Sequence, residues 1–279
     1  MLKTRIITAV IAIFFLVLIF KFATPTFMQA FFTILVGLAT WETAHMILPG
    51  VRRHFAKDTS HSHLWLELLT TLLAPLIFVG VTYAGSGGLS VLVIGILGLL
   101  ALGIFVADCP DLSFGYSSGL VLCLVYGIFP WLAISHLFSM QTDSRYLYLM
   151  CIIVWAGDTG AYFTGRSIGK RKLAPKLSPN KTWEGACGGL VASLVGASLV
   201  KLYYGSDFPS WAVILVCAVF GGAFGQLGDL TESAYKRFAG VKDSGRLFPG
   251  HGGFLDRVDG LLFAAPVVWL ILYQFGISE

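Results

Sequence analysis

Stretches of apolar residues about 20 long follow one another almost from end to end of this chain, and that is the length a helix needs to cross a bilayer core. In hydrocarbon a spanning segment must satisfy its own backbone N–H and C=O groups, which an α-helix does unaided. The composition agrees, with 56% of the 279 residues hydrophobic and only 12% charged; a soluble domain carries about a quarter charged. The chain is therefore expected to be an all-α polytopic membrane protein in one integral domain. About nine transmembrane helices are expected, at 5–22, 26–48, 64–84, 89–107, 117–138, 144–165, 184–203, 210–229 and 258–276. The first run, Ile6 to Phe20, has no small-residue cleavage site after it and reads as an uncleaved first helix.

Charge orients the spans. With the N-terminus in the cytoplasm, sixteen of the nineteen Lys and Arg residues fall on cytoplasmic segments, and only Lys21, Arg145 and Lys201 fall outside. That is the positive-inside pattern, and it supports both the span count and this orientation of a multi-pass membrane protein. The five cysteines are odd in number, form no CxxC pair and lie in or beside apolar runs, so they read as small buried hydrophobes. Residues 1–140 carry no dense polar cluster and read as scaffold; 141–279 hold the catalytic helices and cytoplasmic loops. Alanine at Glu42 or His45 is accordingly expected to leave turnover within a few-fold.

One polar stretch breaks the hydrocarbon. Gln226 to Gly260 packs five acids (Asp229, Glu232, Asp243, Asp256, Asp259), five cations (Lys236, Arg237, Lys242, Arg246, Arg257), His251 and seven glycines into 35 residues. Asp229, Glu232, Ser233 and Lys236 share a face of a helix continuing out of the eighth span. Gly252-Gly253 then breaks the chain before a new helix on which Asp256 and Asp259 share a face. Two such helices can bring three or four carboxylates to one point. Hard cations such as Mg²⁺ take oxygen ligands, typically one or two carboxylates plus substrate phosphates. The bland reading of the same acids is ion pairing, for example Asp259 with Lys236.

Two upstream segments belong with it. In WAGDTGAYFTGRSIGK, Asp158, Tyr162, Gly165 and Arg166 fall on one helical face, and the glycines allow close approach of a backbone or a ligand. Packing explains those glycines but not an aspartate. In LSPNKTWEG, Ser178, Lys181, Thr182 and Glu184 gather varied donors before the seventh span, a mixture that suits phosphate. Lys170 to Lys176 read instead as contacts for anionic membrane lipids. Gly165 to Lys170 is not a nucleotide P-loop, because the glycine spacing is short and Arg171 stands where Ser or Thr belongs. His251, between glycines, suits either a base or a bare turn.

Ser233-Ala-Tyr-Lys-Arg, Lys242-Asp-Ser-Gly and Phe248-Pro-Gly-His-Gly-Gly-Phe-Leu-Asp-Arg-Val-Asp259 together closely resemble the motif of phosphatidate cytidylyltransferases. Asp158-Thr-Gly-Ala-Tyr with Gly165-Arg, and Ser178-Pro-Asn-Lys-Thr-Trp-Glu-Gly185, resemble that family's two upstream motifs; Tyr235 departs from its usual aliphatic residue, Met or Phe. The resemblance implies transfer of CMP from CTP to phosphatidic acid, giving CDP-diacylglycerol and pyrophosphate, in a polar cavity on the cytoplasmic side. It implies Asp229 and Asp256 as principal Mg²⁺ ligands, Asp259 in support and Asp158 as a further ligand or orienter, with K⁺ accompanying Mg²⁺. Catalytic roles fall to Asp229, Asp256, Lys236, Lys242 and His251. Substrate-binding roles fall to Arg166, Ser178, Lys181, Thr182, Ser233, Arg237 and Arg257.

A homodimer is compatible with the family, and no nucleic-acid partner is expected. Rival readings are an ion-coupled transporter, a CTP-dependent lipid alcohol kinase and a CDP-alcohol phosphotransferase. The acids sit at span ends and no inverted halves are visible, against the transporter. The length of the matched motif disfavours the kinase, and the third lacks its pattern here.

Overall fold

The computed structural model describes residues 17–56, 64–140, 144–248 and 252–277. Eight long helices follow in order: α1 (Pro25–Phe55), α2 (Leu64–Tyr83), α3 (Gly88–Val106), α4 (Pro110–Ser139), α5 (Arg145–Ile168), α6 (Trp183–Tyr204), α7 (Trp211–Phe238) and α8 (Leu255–Gln274). The protein is an all-α integral membrane protein, and α1 to α7 are each long and apolar enough to cross a membrane. Of the first expected span only residues 17–22 are described, and they are helical. Helix starts follow local rules. Thr24 caps α1 through a 3.3 Å bond from the Phe27 N–H, with Pro25 in the first turn, where its missing N–H is no loss.

The expected spans and the observed helices differ most where polar residues begin. Helix α1 runs on to Phe55, through Arg52 and Arg53, and α7 runs on to Phe238, through Asp229, Glu232 and Lys236. Their backbone bonds are internal, so a helix need not stop where hydrocarbon does. Among the described residues the named strands form one hairpin, β1 (Lys172–Ala174) and β2 (Ser178–Thr182), antiparallel with Lys172 opposite Thr182 and Ala174 opposite Ser178. Glu184, in the first turn of α6, accepts from the N–H groups of Lys170 (3.0 Å) and Arg171 (3.1 Å) and fastens this hairpin to the helix start.

The closest helix pairs are α5 with α6, α7 with α8 and α1 with α4. Small residues permit the first: a Cβ on Gly160 would sit 2.9 Å from the Gly188 carbonyl oxygen and run into Ala192. Gly160→Val is therefore expected to destabilise by roughly 1–3 kcal/mol through overpacking, read as a lower midpoint for heat-induced loss of monodisperse protein in detergent. The same crossing holds Asp158 of α5 beside the hairpin and the start of α6. An unchanged midpoint would show that α5 and α6 separate freely.

Candidate functional site

Five carboxylates and four cations line one cavity of about 740 Å³: Asp158, Asp229, Asp243, Asp256 and Asp259 with Arg166, Lys181, Lys236 and Arg257. Three of its walls are expected helical faces. Asp158, Tyr162, Gly165 and Arg166 come from α5, Gln226, Asp229 and Lys236 from α7, and Asp256 and Asp259 from the first turns of α8. Asn180, Lys181 and Thr182 come from β2. The Arg166 Nη1 donates to the Tyr162 hydroxyl at 2.9 Å, one turn back on the same face.

The acids are individually held. Asp256 Oδ2 accepts from the Gly253 N–H (2.8 Å), the Ser244 N–H (2.9 Å) and the Ser244 hydroxyl (3.1 Å), while Oδ1 lies 2.6 Å from Lys236 Nζ. Gly252 makes this turn possible: it has φ 82°, a left-handed conformation that favours glycine, and a Cβ there would meet the Asp256 carboxylate. Asp229 Oδ2 lies 2.6 Å from Lys181 Nζ, and its Oδ1 has only a long contact, 3.5 Å, from the Ser233 hydroxyl. Asp259 Oδ1 accepts from the Gly260 N–H at 2.8 Å. Lys236 also reaches Glu232, fully buried one turn back on α7, at 3.3 Å.

A divalent cation fits this donor set in part. Four hard carboxylates of the expected ligand set share the cavity, and Asp229 Oδ1 is barely engaged. Yet among the described residues no group of three or more His, Cys, Asp or Glu side chains is arranged to hold a metal unaided. The four acids share one cavity lining, where Lys181 pairs with Asp229 and Lys236 with Asp256. The ion-pair alternative for Asp259 with Lys236 is not what is seen, since Lys236 pairs with Asp256 and Glu232.

Thr182 lines the cavity, and its hydroxyl oxygen also caps α6, accepting from the Gly185 N–H at 3.1 Å. Arg237 is exposed, and its Nε donates to the Leu177 carbonyl at 3.4 Å, tying α7 to the hairpin turn. Ser178 is half-buried in β2, outside the cavity lining. Lys242 lines a neighbouring cavity of about 600 Å³ with Trp41, Glu42, His45, Ser244 and Arg246. His251 lies outside the described residues.

The sequence reading gave no site role to Asp243, Ser244 or Glu42. Asp243 and Ser244 lie inside the Lys242-Asp-Ser-Gly motif, which was the available signal. Glu42 is an acid within an apolar run, and such a residue is costly to bury without a task.

This chain matches the family model described as "Cytidylyltransferase family" over residues 3–275. It is 34% identical over 281 aligned positions, covering 98% of this chain and 99% of the relative, to a phosphatidate cytidylyltransferase of Staphylococcus epidermidis. It is 48% identical over 136 residues to the protein of that name from Bacillus subtilis, where the match spans 49% of this chain and 50% of the relative. A Staphylococcus aureus relative, again a phosphatidate cytidylyltransferase, is 45% identical over 147 residues, 52% of this chain and 56% of its own length.

Proposed function

The chain belongs to the cytidylyltransferase family, and we propose that it transfers CMP from CTP to phosphatidic acid, releasing pyrophosphate and forming CDP-diacylglycerol for phospholipid synthesis. The observation that carries this is the single cavity where four cations and five carboxylates meet between membrane-length helices. Two anionic reactants must be brought together there, and one is a lipid. Apolar side chains on the same helices suit a lipid: Phe163, Ile168 and Trp183 are each more than half exposed beside the cavity-lining residues of α5 and α6.

A phosphate oxygen of the lipid forms the new bond to the α-phosphorus of CTP, and the bond from that phosphorus to the bridging oxygen breaks, releasing pyrophosphate. A phosphate monoester has its second pKa near about 6, so the nucleophile is already largely dianionic and needs no strong base. The protein's share is positioning and charge neutralisation. Lys181, Arg166 and Arg257 suit the phosphates, and Lys236 sits where it can serve both Asp256 and an incoming anion. Mg²⁺ held by Asp229 and Asp256, with Asp158 and Asp259 nearby, would neutralise charge developing on the phosphates. The excess of Lys and Arg on alternate segments supports a site on the cytoplasmic side, and the bacterial relatives suit an inner-membrane location.

Purified full-length protein in detergent, given CTP, phosphatidic acid and Mg²⁺, is expected to form CDP-diacylglycerol and pyrophosphate in equal amounts. If it instead moved the γ-phosphate of CTP to a lipid alcohol, the kinase reading would replace this one. Neither product from well-folded protein would overturn both.

A further inference from the structure

We infer that Glu42, on α1 and far in sequence from the polar stretch, is a positioning residue for Asp256. Its side chain is 1% exposed. Oε1 accepts from the Phe254 N–H at 2.8 Å, and Oε2 accepts from the Leu255 N–H at 2.9 Å and lies 3.0 Å from the Ser244 hydroxyl. Those two N–H groups stand at the start of α8, where a helix leaves its first donors without partners of its own. Glu42 therefore caps α8 from another helix, since Phe254 supplies no side-chain cap.

The link to Asp256 runs through Ser244. Its Oγ lies 3.0 Å from Glu42 Oε2 and 3.1 Å from Asp256 Oδ2, and it accepts from the Asp256 N–H at 3.3 Å. A hydroxyl has one proton, so a single O–H stands between the two carboxylates. The turn around them is built without slack: a Cβ on Gly245 or Gly253 would run into the Glu42 carboxylate. Phe254 then stacks on Trp131 of α4, with ring centroids 5.9 Å apart. The N–H groups of Gly253 and Ser244 that hold Asp256 Oδ2 thus belong to two segments that Glu42 ties together, and Oδ1 lies 2.6 Å from Lys236 Nζ. A tolerated alanine at Glu42, as the scaffold assignment of residues 1–140 predicts, is not what this geometry supports.

The inference rests on the cytidylyl-transfer reading for its effect on turnover, so it is tested with two independent readouts. Glu42→Gln keeps the size, but however the amide turns, its NH₂ faces the N–H of Phe254 or Leu255, donor against donor. Turnover is expected to fall roughly 10–100-fold, the usual cost of losing a partner that orients a ligand, with the KM for CTP within about 3-fold of wild type.

The second readout uses Mg²⁺ alone, without CTP or lipid: the concentration giving half-maximal heat stabilisation is expected to rise by about 10-fold. Ser244→Ala removes the bridging hydroxyl without touching α1 and is expected to shift both readouts the same way by a smaller factor. That keeps the test decisive if Glu42 variants fold poorly. Turnover and Mg²⁺ response within twofold of wild type in folded Glu42→Gln or Ser244→Ala would overturn the inference. A normal Mg²⁺ shift in wild type without cytidylyl transfer would sink the reaction and leave Glu42's role standing.

Discussion

Asp256→Asn is expected to remove at least about 99% of turnover, roughly 2.7 kcal/mol or more of transition-state stabilisation, while the protein still purifies as a folded species. The substitution changes one atom, and every neighbour of that carboxylate is a donor. Oδ2 takes three hydrogen bonds from Gly253 and Ser244, and Oδ1 takes the Lys236 ammonium at 2.6 Å. An asparagine must turn its NH₂ toward either the two backbone N–H groups or the ammonium, so one side of the site faces a like partner. It also leaves Lys236 with Glu232 alone and removes a hard oxygen from the wall where Mg²⁺ is expected. The measurement is CDP-diacylglycerol formed per folded enzyme, folding being checked by size-exclusion profile and heat stability. Turnover within tenfold of wild type in well-folded Asp256→Asn would dismiss the residue as essential to the chemistry.

The faces that carry this site were legible from spacing alone. Asp158, Tyr162 and Arg166 recur at one helical turn, as do Asp229 and Lys236 at two, and each set does line the cavity. The break at Gly252-Gly253 ahead of Asp256 was legible too, because glycine pairs interrupt helices for a local reason. Local periodicity says which residues of one helix stand together, and nothing about which other helix faces them. That is why Glu42 was placed with the scaffold: its partners Phe254 and Leu255 lie more than 200 positions away.

No helical or strand repeat runs through Lys242 and Asp243, so spacing does not say which cavity each one lines: Asp243 lines both, and Lys242 lines the neighbouring one. The short hairpin went unseen because three- and five-residue strands leave too little alternation to read.

Lys236→Met is expected to cost both stability and turnover, and a second substitution separates the two. Lys236 Nζ sits between Asp256 at 2.6 Å and Glu232 at 3.3 Å, with its side chain 13% exposed and that of Glu232 fully buried. Glu232 faces Asp259 as well as this lysine, so Lys236 is the cation set among these buried acids. Removing one member of a buried pair costs about 3–5 kcal/mol because the other is left uncompensated, or roughly 10 °C in the midpoint of heat stability. Adding Glu232→Gln takes away the stranded acid, so Lys236→Met with Glu232→Gln is expected to regain most of that midpoint. Turnover should stay at least about 100-fold down in the double variant, since charge neutralisation of this kind supplies several kcal/mol and neither substitution restores a cation beside Asp256. The non-additivity in stability, with none in turnover, is the signature of one lysine holding two separate duties. Recovery of turnover together with stability would show instead that Lys236 only neutralises Glu232, and its part in binding phosphate would have to pass to Lys181, Arg166 and Arg257.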